Sequence, residues 1–285
     1  MIQSMTGFGK ASLQLPTKKI TVEIKSLNSK GLDLNVRMPS VFREMELGLR
    51  NQVAQKLERG KIDVSLFIEI TGEETSSKIN VPIVRGYINQ MKEVVDGDET
   101  ELLKMAVRMP DALKTERDEI DEDEWKKIQS VVDEALNNIY SFRVTEGVSL
   151  EREFLIRISN ILSLMNETVA LDGERIQNVK NKLHNAIEEL KINVDENRFE
   201  QELIYYLEKM DITEEKVRLE NHLHYFLETI AGTEANGRKL GFITQEMGRE
   251  INTMGSKSNH AQMQKLVVHM KDELEKIKEQ VLNVL

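Results

Sequence analysis

The chain has 285 residues, of which 31% are charged, a formal net charge of −10, and no cysteine. The absence of cysteine excludes disulfides, thiolate nucleophiles and cysteine-ligated zinc, and it suits a reducing compartment. The sequence contains no apolar run of about 18 residues and no signal-peptide pattern, so we expect a cytoplasmic protein without a membrane span, divided into more than one domain.

Charge is distributed unevenly along the chain. Residues 1–70 contain 11 lysines and arginines against 7 acids, a balance of +4, so the rest of the chain carries the negative excess. An acidic protein is not a typical nucleic-acid binder. Electrostatic attraction is nevertheless screened within roughly 10 Å, so a local basic surface is sufficient to attract phosphates. The N-terminal segment is therefore the expected contact for an anionic partner.

The first 70 residues show the alternation of a β-sheet with one buried face. Apolar side chains occupy alternate positions in three segments, near residues 20–24, 32–38 and 62–70. We expect Met1–Leu15 to add a strand in which Gly7 and Gly9 mark a bulge or a close approach of another element. Between the last two strands, Val41–Leu57 has helical spacing.

From about residue 81 the pattern becomes helical. Trp125–Leu190 is one amphipathic stretch, longer than ordinary globular helices, and it predicts a helical hairpin or an extended arm. Four further helices are expected, at Val194–Met210, Glu214–Ile230, Arg238–Met254 and His260–Val284. The last carries a coiled-coil seam of about two heptads, which leaves open whether it packs within one subunit or between subunits.

These patterns predict a predominantly helical α+β protein. A small antiparallel or mixed sheet with one inserted helix comes first, followed by a long helical arm and a C-terminal helical module. We expect an N-terminal α+β domain over residues 1–155, with its sheet mainly in residues 1–72. The arm or linker is expected over 156–195, and the C-terminal domain over 196–285.

The helix expected at Glu214–Ile230 has an acidic start. Asp211 and Glu214 stand at its entry, and Thr213 is the expected N-cap. Acids at a helix start interact favourably with the helix dipole, so a purely structural role is one interpretation of this segment.

The same helix carries a polar face. Glu215, Arg218 and His222 recur at i, i+3 and i+7, which places them on one side of the helix. This combination also suits an acid–base or metal-binding face, with His222 as a proton-transfer group or ligand. The residue types alone do not choose between the two interpretations.

The following helix carries a second polar face. Glu246 and Glu250 stand one turn apart, with Arg249 on the flank, and like charges in this position repel unless a cation or guanidinium lies between them. A polar loop is expected at Asn252–Ser258. One interpretation of this segment is a solvated helix followed by a capped turn. The other is a site whose acids, arginine and hydroxyl groups act on a phosphate.

Motifs distributed in order along nearly the whole chain resemble those of the YicC/YloC family. In the N-terminal half they are Ser4–Gly9, Ser26–Asn28 with Leu32–Asp33, Arg37–Pro39, Arg59–Lys61, and Arg143 with Glu146, Gly147 and Leu150. In the C-terminal half they are Asp195–Arg198, Gln201–Glu202, Asp211–His222 and Gln245–Lys257. The chain departs from the usual family residues at Lys30, Gly31, Gly241 and Gly248.

The resemblance implies a bacterial endoribonuclease that cleaves single-stranded or structured RNA. It also implies help from a divalent metal, Mn²⁺ or Mg²⁺, and a ring-like homo-oligomer, expected to be a hexamer. RNA is the expected partner, RNA-decay exonucleases are candidate partners, and neither DNA nor a membrane is expected.

Within this family expectation, residue chemistry suggests individual roles. We expect catalysis by His222 as general acid or base, with arginines stabilising the phosphate, and the full set is His222, Glu246, Glu250, Arg218 and Arg249. Carboxylates suit hard divalent ions, and the expected ligands are Glu214, Glu215, Glu246 and Glu250, with Asp211 in reserve. The expected RNA contacts are Lys25, Lys30, Arg37, Lys61 and Lys257.

Three alternatives remain open from the sequence. A metal-independent reaction could use the RNA 2′-OH as nucleophile, with His222 and a glutamate as the acid–base pair, and it would leave a cyclic phosphate. The protein could instead be a non-catalytic RNA-binding or RNA-decay adaptor, with the acid–His–Arg face serving as a subunit interface of buried ion pairs. A purely structural helical scaffold is the third.

Overall fold

The computed structural model describes residues 2–71, 78–114, 122–190, 195–232 and 237–285. Its N-terminal part is a four-stranded sheet in the order β1-β2-β4-β3. The strands are β1 (Gly7–Gln14), β2 (Lys18–Leu27), β3 (Leu32–Arg37) and β4 (Gly60–Ile70). Strand β3 runs parallel to β4, whereas the other pairs are antiparallel. The predicted mixed sheet is therefore confirmed.

A helical crossover joins the parallel strands β3 and β4. It consists of a 3₁₀ helix (Ser40–Met45) followed by α1 (Glu46–Leu57), where the sequence predicted one continuous helix. Parallel strands need such a crossover because a tight hairpin cannot connect their ends. The inserted helix buries Leu49, Val53 and Leu57 in the sheet core.

The remaining elements are mainly helical, and the predominantly helical α+β class is confirmed. A short ribbon that the sequence did not predict pairs β5 (Lys78–Ile79) with β6 (Leu113–Lys114). Between its strands lie α2 (Val81–Val94) and α3 (Glu99–Ala106). The later helices are α4 (Glu122–Ala170), α5 (Asp172–Leu190), α6 (Glu196–Met210), α7 (Thr213–Ala231), α8 (Gly237–Lys257) and α9 (Ala261–Val281).

Helix α4 is 49 residues long and contributes to two hydrophobic cores. Its first half packs on the sheet through Ile128, Leu136 and Ile139. Gly9 of β1 allows this approach, because a Cβ there would lie 2.3 Å from the Ala135 carbonyl oxygen. The expected close approach is therefore observed. Residue 155, the proposed domain boundary, lies inside α4.

The second half of α4 packs against α7 and α9, in a core to which α8 also contributes. Phe154 meets Phe226 of α7 edge to face, with ring centroids 5.4 Å apart. The apolar seam of α9 is buried in the same core and comprises Val267, Met270, Leu274, Ile277 and Val281. The heptad pattern in α9 therefore corresponds to packing within the subunit and not to a contact between subunits.

Arg143 of α4 explains one of the family motifs structurally. Its guanidinium is buried and donates hydrogen bonds to the carbonyl oxygens of Met5, Leu57 and Arg59 and to the Ser26 hydroxyl. Burial lowers the pKa of Arg143 below its usual value. The side chain thereby ties the N-terminal segment to β2 and to the end of α1.

Two helix ends differ from expectation. Thr213 is the first residue of α7 rather than its N-cap, and Asp211 accepts the Thr213 N–H at 3.1 Å. Helix α8 continues to Lys257, so the expected loop is helical over 252–257 and only Ser258 lies beyond the helix. Its Thr253 and Ser256 hydroxyls donate to carbonyls of the preceding turn, so these residues do not break the helix. At the end of α8, the Arg175 guanidinium donates a hydrogen bond to the Lys257 carbonyl oxygen.

Among the described residues, one helical stretch passes a length and composition test for crossing a membrane. An 18-residue window within Asp123–Glu189 has a mean hydropathy of 1.2, and 28% of that window is buried. Core helices of soluble proteins pass the same test, so a single window is weak evidence for a membrane span.

Candidate functional site

The candidate site lies along the antiparallel seam between α7 and α8. Three contacts cross this seam: Glu215 with Lys257, His222 with the Glu246 and Glu250 pair, and Tyr225 with Lys239. Residue numbers rise along α7 while they fall along α8, which defines the antiparallel arrangement. Leu219 and Leu223 of α7 and Met247 and Ile251 of α8 are buried beside the polar groups.

His222, Glu246 and Glu250 converge at the middle of the seam. One ring nitrogen of His222 and one carboxylate oxygen of each glutamate all lie within 4.8 Å of one another. Glu250 is buried, with 4% of its surface exposed, whereas His222 is half-buried and Glu246 is exposed. The cluster therefore has a buried base and an open, solvent-facing side.

The spacing of the three groups suits a bound cation. These three described side chains form no hydrogen bond or ion pair with one another, although their donor atoms lie within 4.8 Å of one another. In an octahedral site with ligands at about 2.1 Å, neighbouring donors on one side of the ion are roughly 3 Å apart. Side-chain rotations would have to draw the three donors together from their present separations, which lie within 4.8 Å. One nitrogen and two oxygen donors would then hold one side of a divalent ion and leave the solvent side for water or substrate.

The donor set also bears on which metal fits. Carboxylates suit Mg²⁺ and Mn²⁺, whereas imidazole suits transition metals. A set with one imidazole and two carboxylates therefore combines donor types that suit either a hard divalent ion or a transition metal. The sequence analysis allowed His222 as a proton-transfer group or a ligand, although the expected ligand set contained only carboxylates.

The structure places Glu215 away from this cluster. Glu215 is 5% exposed, and its Oε1 accepts a hydrogen bond from Lys257 Nζ at 2.7 Å. The same ammonium donates to the Asp211 carbonyl oxygen at 2.8 Å. The expected ligand Glu215 and the expected RNA contact Lys257 therefore neutralise each other about two helical turns from His222.

Asp211 and Glu214, at the start of α7, also lie outside the cluster. The Thr213 hydroxyl and backbone N–H both donate to Asp211, and these hydrogen bonds lower its pKa below the usual value. Glu214 forms an exposed ion pair with Arg218. The contacts of Asp211 and Glu214 are therefore local, as the purely structural interpretation of this helix start predicted.

The two arginines expected to act in catalysis lie on the borders of the cluster. Arg218 precedes His222 by one turn on the side of α7 that faces α8, and it is exposed. Arg249 adjoins Glu250 on the outer side of α8 and is exposed as well. Arg218 forms its ion pair with Glu214, and the catalytic roles of both arginines stay predictions.

The expected basic sheet surface is interrupted by acids. Lys25, Arg37 and Lys61 are exposed on the sheet, and Lys30 is exposed in the β2–β3 loop. Asp63 is the register partner of Lys25, and Asp33 that of Lys61. These neighbours reduce the local positive potential, so any contribution of the sheet to RNA affinity is expected to be modest.

Comparisons with known proteins place the whole chain in one family. Residues 2–152 match the model of the Endoribonuclease YicC-like N-terminal region, and residues 169–285 match that of the Endoribonuclease YicC-like C-terminal region. The chain is 33% identical over 293 residues to "Probable endoribonuclease YicC" of Clostridioides difficile, with all of both chains covered. It is 29% identical over 288 residues to the protein of the same name in Haemophilus influenzae, again with full coverage. Two family models that span nearly all residues, and relatives that align from end to end, show that this chain belongs to the YicC-like endoribonuclease family.

Proposed function

We propose that this protein is an endoribonuclease that cleaves RNA phosphodiester bonds at the His222–Glu246–Glu250 cluster, with a divalent metal held there. The observation that carries the proposal is the convergence of these three groups, from two helices, around a space with one side open to solvent. The family relationship supports RNA as the substrate. The proposed metal is Mn²⁺ or Mg²⁺.

The buried carboxylate of Glu250 supports a cation at this place. A buried charge is costly unless it is paired, and the like charge of Glu246 adds repulsion. Among the described residues, no lysine or arginine forms an ion pair with Glu250, in contrast to Glu215. A bound cation would balance both carboxylates, and when bound it supplies charge neutralisation and activation of water.

The side chains around the cluster have separate tasks in this proposal. Glu246 and Glu250 hold the cation from α8, and the His222 ring completes the set from α7. Arg218 and Arg249 stabilise the charge on the phosphate, because guanidinium groups present paired donors to phosphate oxygens. If the reaction proceeds without metal, His222 and a glutamate serve as acid and base toward the RNA 2′-OH.

The proposal includes assembly into a ring-like homo-oligomer, expected to be a hexamer, that acts on RNA in the cytoplasm. Exposed apolar side chains support contacts between copies. Val148, Leu155 and Ile156 of α4 are each about half exposed, and so are Ile204 and Tyr205 of α6. RNA-decay exonucleases are further proposed partners. They would have to accept the RNA ends that cleavage by this protein generates.

The deciding experiment measures cleavage of labelled RNA by the parent protein and four variants. Glu246→Gln and His222→Ala are expected to lose at least about a hundredfold in rate, because each removes a ligand or a proton-transfer group. His224→Ala and Glu228→Gln are matched controls on α7, since both residues are exposed outside the cluster. EDTA is expected to abolish cleavage, and added Mn²⁺ to restore it.

Several outcomes would contradict parts of this proposal. If Glu246→Gln and His222→Ala cleave at the parent rate, the cluster is not the active site. If the parent binds RNA and never cleaves it, the adaptor interpretation is correct. Cyclic phosphate ends formed in EDTA would identify 2′-OH attack, whereas 5′-phosphate ends identify attack by water. A monomer by light scattering would exclude the ring.

A further inference from the structure

The seam between α7 and α8 continues beyond the His222–Glu246–Glu250 cluster toward the start of α8. At this end lie two exposed aromatic side chains, Tyr225 with 45% and Phe242 with 62% of its surface accessible. Lys239 Nζ sits 4.7 Å from the centroid of the Tyr225 ring. None of these three residues belongs to the expected catalytic, metal or RNA-binding sets.

Helical spacing places these three residues beside the cluster. Tyr225 follows His222 by three residues on the side of α7 that faces α8, and Phe242 precedes Glu246 by four residues on α8. Each is therefore one turn from a cluster residue. Lys239 precedes Glu246 by seven residues, which corresponds to roughly 10 Å along the helix axis. A nucleotide chain lying along this seam would pass both the cluster and this end.

We propose that Tyr225, Phe242 and Lys239 form a subsite for an unpaired nucleotide of single-stranded RNA, next to the phosphate held at the cluster. This inference rests on the proposed function. Aromatic rings stack on any base because every base has a π-face, and a nearby cation contacts the backbone phosphate. Tyr225 and Phe242 supply the rings, and Lys239 supplies the cation.

The charge at this end favours RNA over a second copy of the chain. Within the part of the chain that the structure describes, the Lys239 ammonium forms no ion pair with a carboxylate, and its recorded contact is the Tyr225 ring. A cation held against an aromatic face remains available to a phosphate.

The subsite has a consequence for substrate choice. Stacking needs a base that is free of its pairing partner, so cleavage is expected next to unpaired nucleotides and not within a continuous duplex. Because stacking is tolerant of base identity, little base preference is expected at this position. The proposed subsite therefore selects RNA structure rather than sequence.

The test measures binding separately from cleavage. Fluorescence anisotropy of a labelled 12-nucleotide single-stranded RNA, in EDTA, gives the dissociation constant for the full-length protein. Tyr225→Leu and Phe242→Leu are each expected to weaken binding at least about fivefold, the range for loss of one stacked base. Tyr225→Phe keeps the ring and is expected to bind as the parent does.

The lysine is tested through the salt dependence of binding. Lys239→Ala is expected to lower the slope of log affinity against log salt concentration by about 0.7, the value for one phosphate contact on a single strand. Val217→Ala on the opposite side of α7 and Lys271→Ala on α9 are matched controls for the apolar and charged changes. Both residues are exposed and lie outside the proposed subsite, so no change in RNA affinity or in the salt slope is expected.

The outcomes separate this inference from the proposed function. If the parent binds RNA but does not cleave it, while Tyr225→Leu weakens binding, the subsite stands and the nuclease proposal fails. If cleavage is confirmed but the leucine variants bind as tightly as the parent, the subsite is excluded. A lower oligomer mass of the leucine variants with unchanged RNA affinity would identify this end as a subunit interface. Absence of RNA binding by the parent would overturn the inference as well.

Discussion

Glu215 and Glu250 are both buried in the seam between α7 and α8, yet only Glu215 has a lysine against its carboxylate. Lys257 Nζ lies 2.7 Å from Glu215 Oε1, whereas Glu250 shares its space with Glu246 and His222. The fold thus pairs one buried acid with a lysine and, among the described residues, gives the other no ion-pair partner. This difference separates a structural ion pair from a candidate metal centre along the same pair of helices.

The first prediction compares the stabilities of two isosteric variants. Glu215→Gln leaves Lys257 without its ionic partner and is expected to lower the free energy of unfolding by about 2 kcal/mol. Glu250→Gln removes repulsion with Glu246 and, in EDTA, is expected to leave the free energy of unfolding unchanged or higher. Urea denaturation in EDTA measures both. An equal loss for the two variants would assign Glu250 to a structural ion pair.

The second prediction concerns metal binding without turnover. Mn²⁺ is expected to raise the melting temperature by about 5 °C at a concentration near 100 times its dissociation constant, because it binds only the folded state. Glu250→Gln and His222→Ala are expected to lose the shift, whereas His224→Ala keeps it. A shift of parent size in all three variants would place the metal elsewhere.

The third prediction concerns the sheet, through a variant in which Lys25, Lys30, Arg37 and Lys61 are all replaced by alanine. If RNA crosses the sheet, affinity falls and the salt slope decreases by up to about 2.8, at roughly 0.7 for each phosphate contact. The acids beside Lys25 and Lys61 predict a smaller decrease than this maximum. Binding titrations over a range of salt concentrations measure the slope.

The control for the sheet variant removes the same charge elsewhere. It replaces four exposed lysines outside the sheet, namely Lys104, Lys126, Lys180 and Lys271. Equal effects of the two quadruple variants would show that only net charge matters, and an unchanged slope in the sheet variant would remove the sheet from the RNA path.

The fourth prediction concerns the pH dependence of the contact between α4 and α9. Burial alone would raise the pKa of Glu273, but hydrogen bonds from Lys276, Asn160 and Arg157 lower it to about 2. A carboxyl with a lowered pKa in the folded state stabilises the protein above its unfolded pKa of about 4.5 and loses this effect as the pH falls toward 2. Glu273→Gln is therefore expected to cost about 1–3 kcal/mol at pH 7.

The measurement for Glu273 is chemical denaturation of the parent and Glu273→Gln at several pH values. The difference in the free energy of unfolding is expected to be constant between pH 7 and pH 5 and to shrink below about pH 4.5. A difference that is independent of pH down to the acid limit of the folded protein would mean that the ionised carboxylate contributes nothing.

Local patterns predicted the strands and most helices because alternation and helical periodicity are properties of neighbouring residues. The end of α8 was mispredicted for a local reason as well: Thr253, Gly255 and Ser256 resemble a loop, but their backbone stays helical while Gly255 packs against Val267. A Cβ at Gly255 would lie 2.9 Å from a Val267 methyl group, so its small size serves helix packing.

The grouping of site residues depended on contacts that the sequence does not record. Glu214 and Glu215 lie on α7 together with His222. The pairing of α7 with α8, however, brings only His222 to Glu246 and Glu250. That pairing is set by buried residues such as Leu219 and Met247, which come from different helices. The sequence alone does not give the alignment of α7 with α8, so it could not show which of the four expected carboxylates lie together.

Because α4 is shared by both cores, the two family regions cannot be separated at their sequence boundaries. A fragment that begins at residue 169, where the C-terminal family match starts, would lack Phe154, Ile158, Ile161 and Met165, all of which fill the core beneath α7 and α8. Removing these side chains would expose the apolar faces that hold the α7–α8 register, and the site would lose its geometry. A fragment of this chain designed to retain the His222, Glu246 and Glu250 cluster is therefore expected to need the second half of α4 as well.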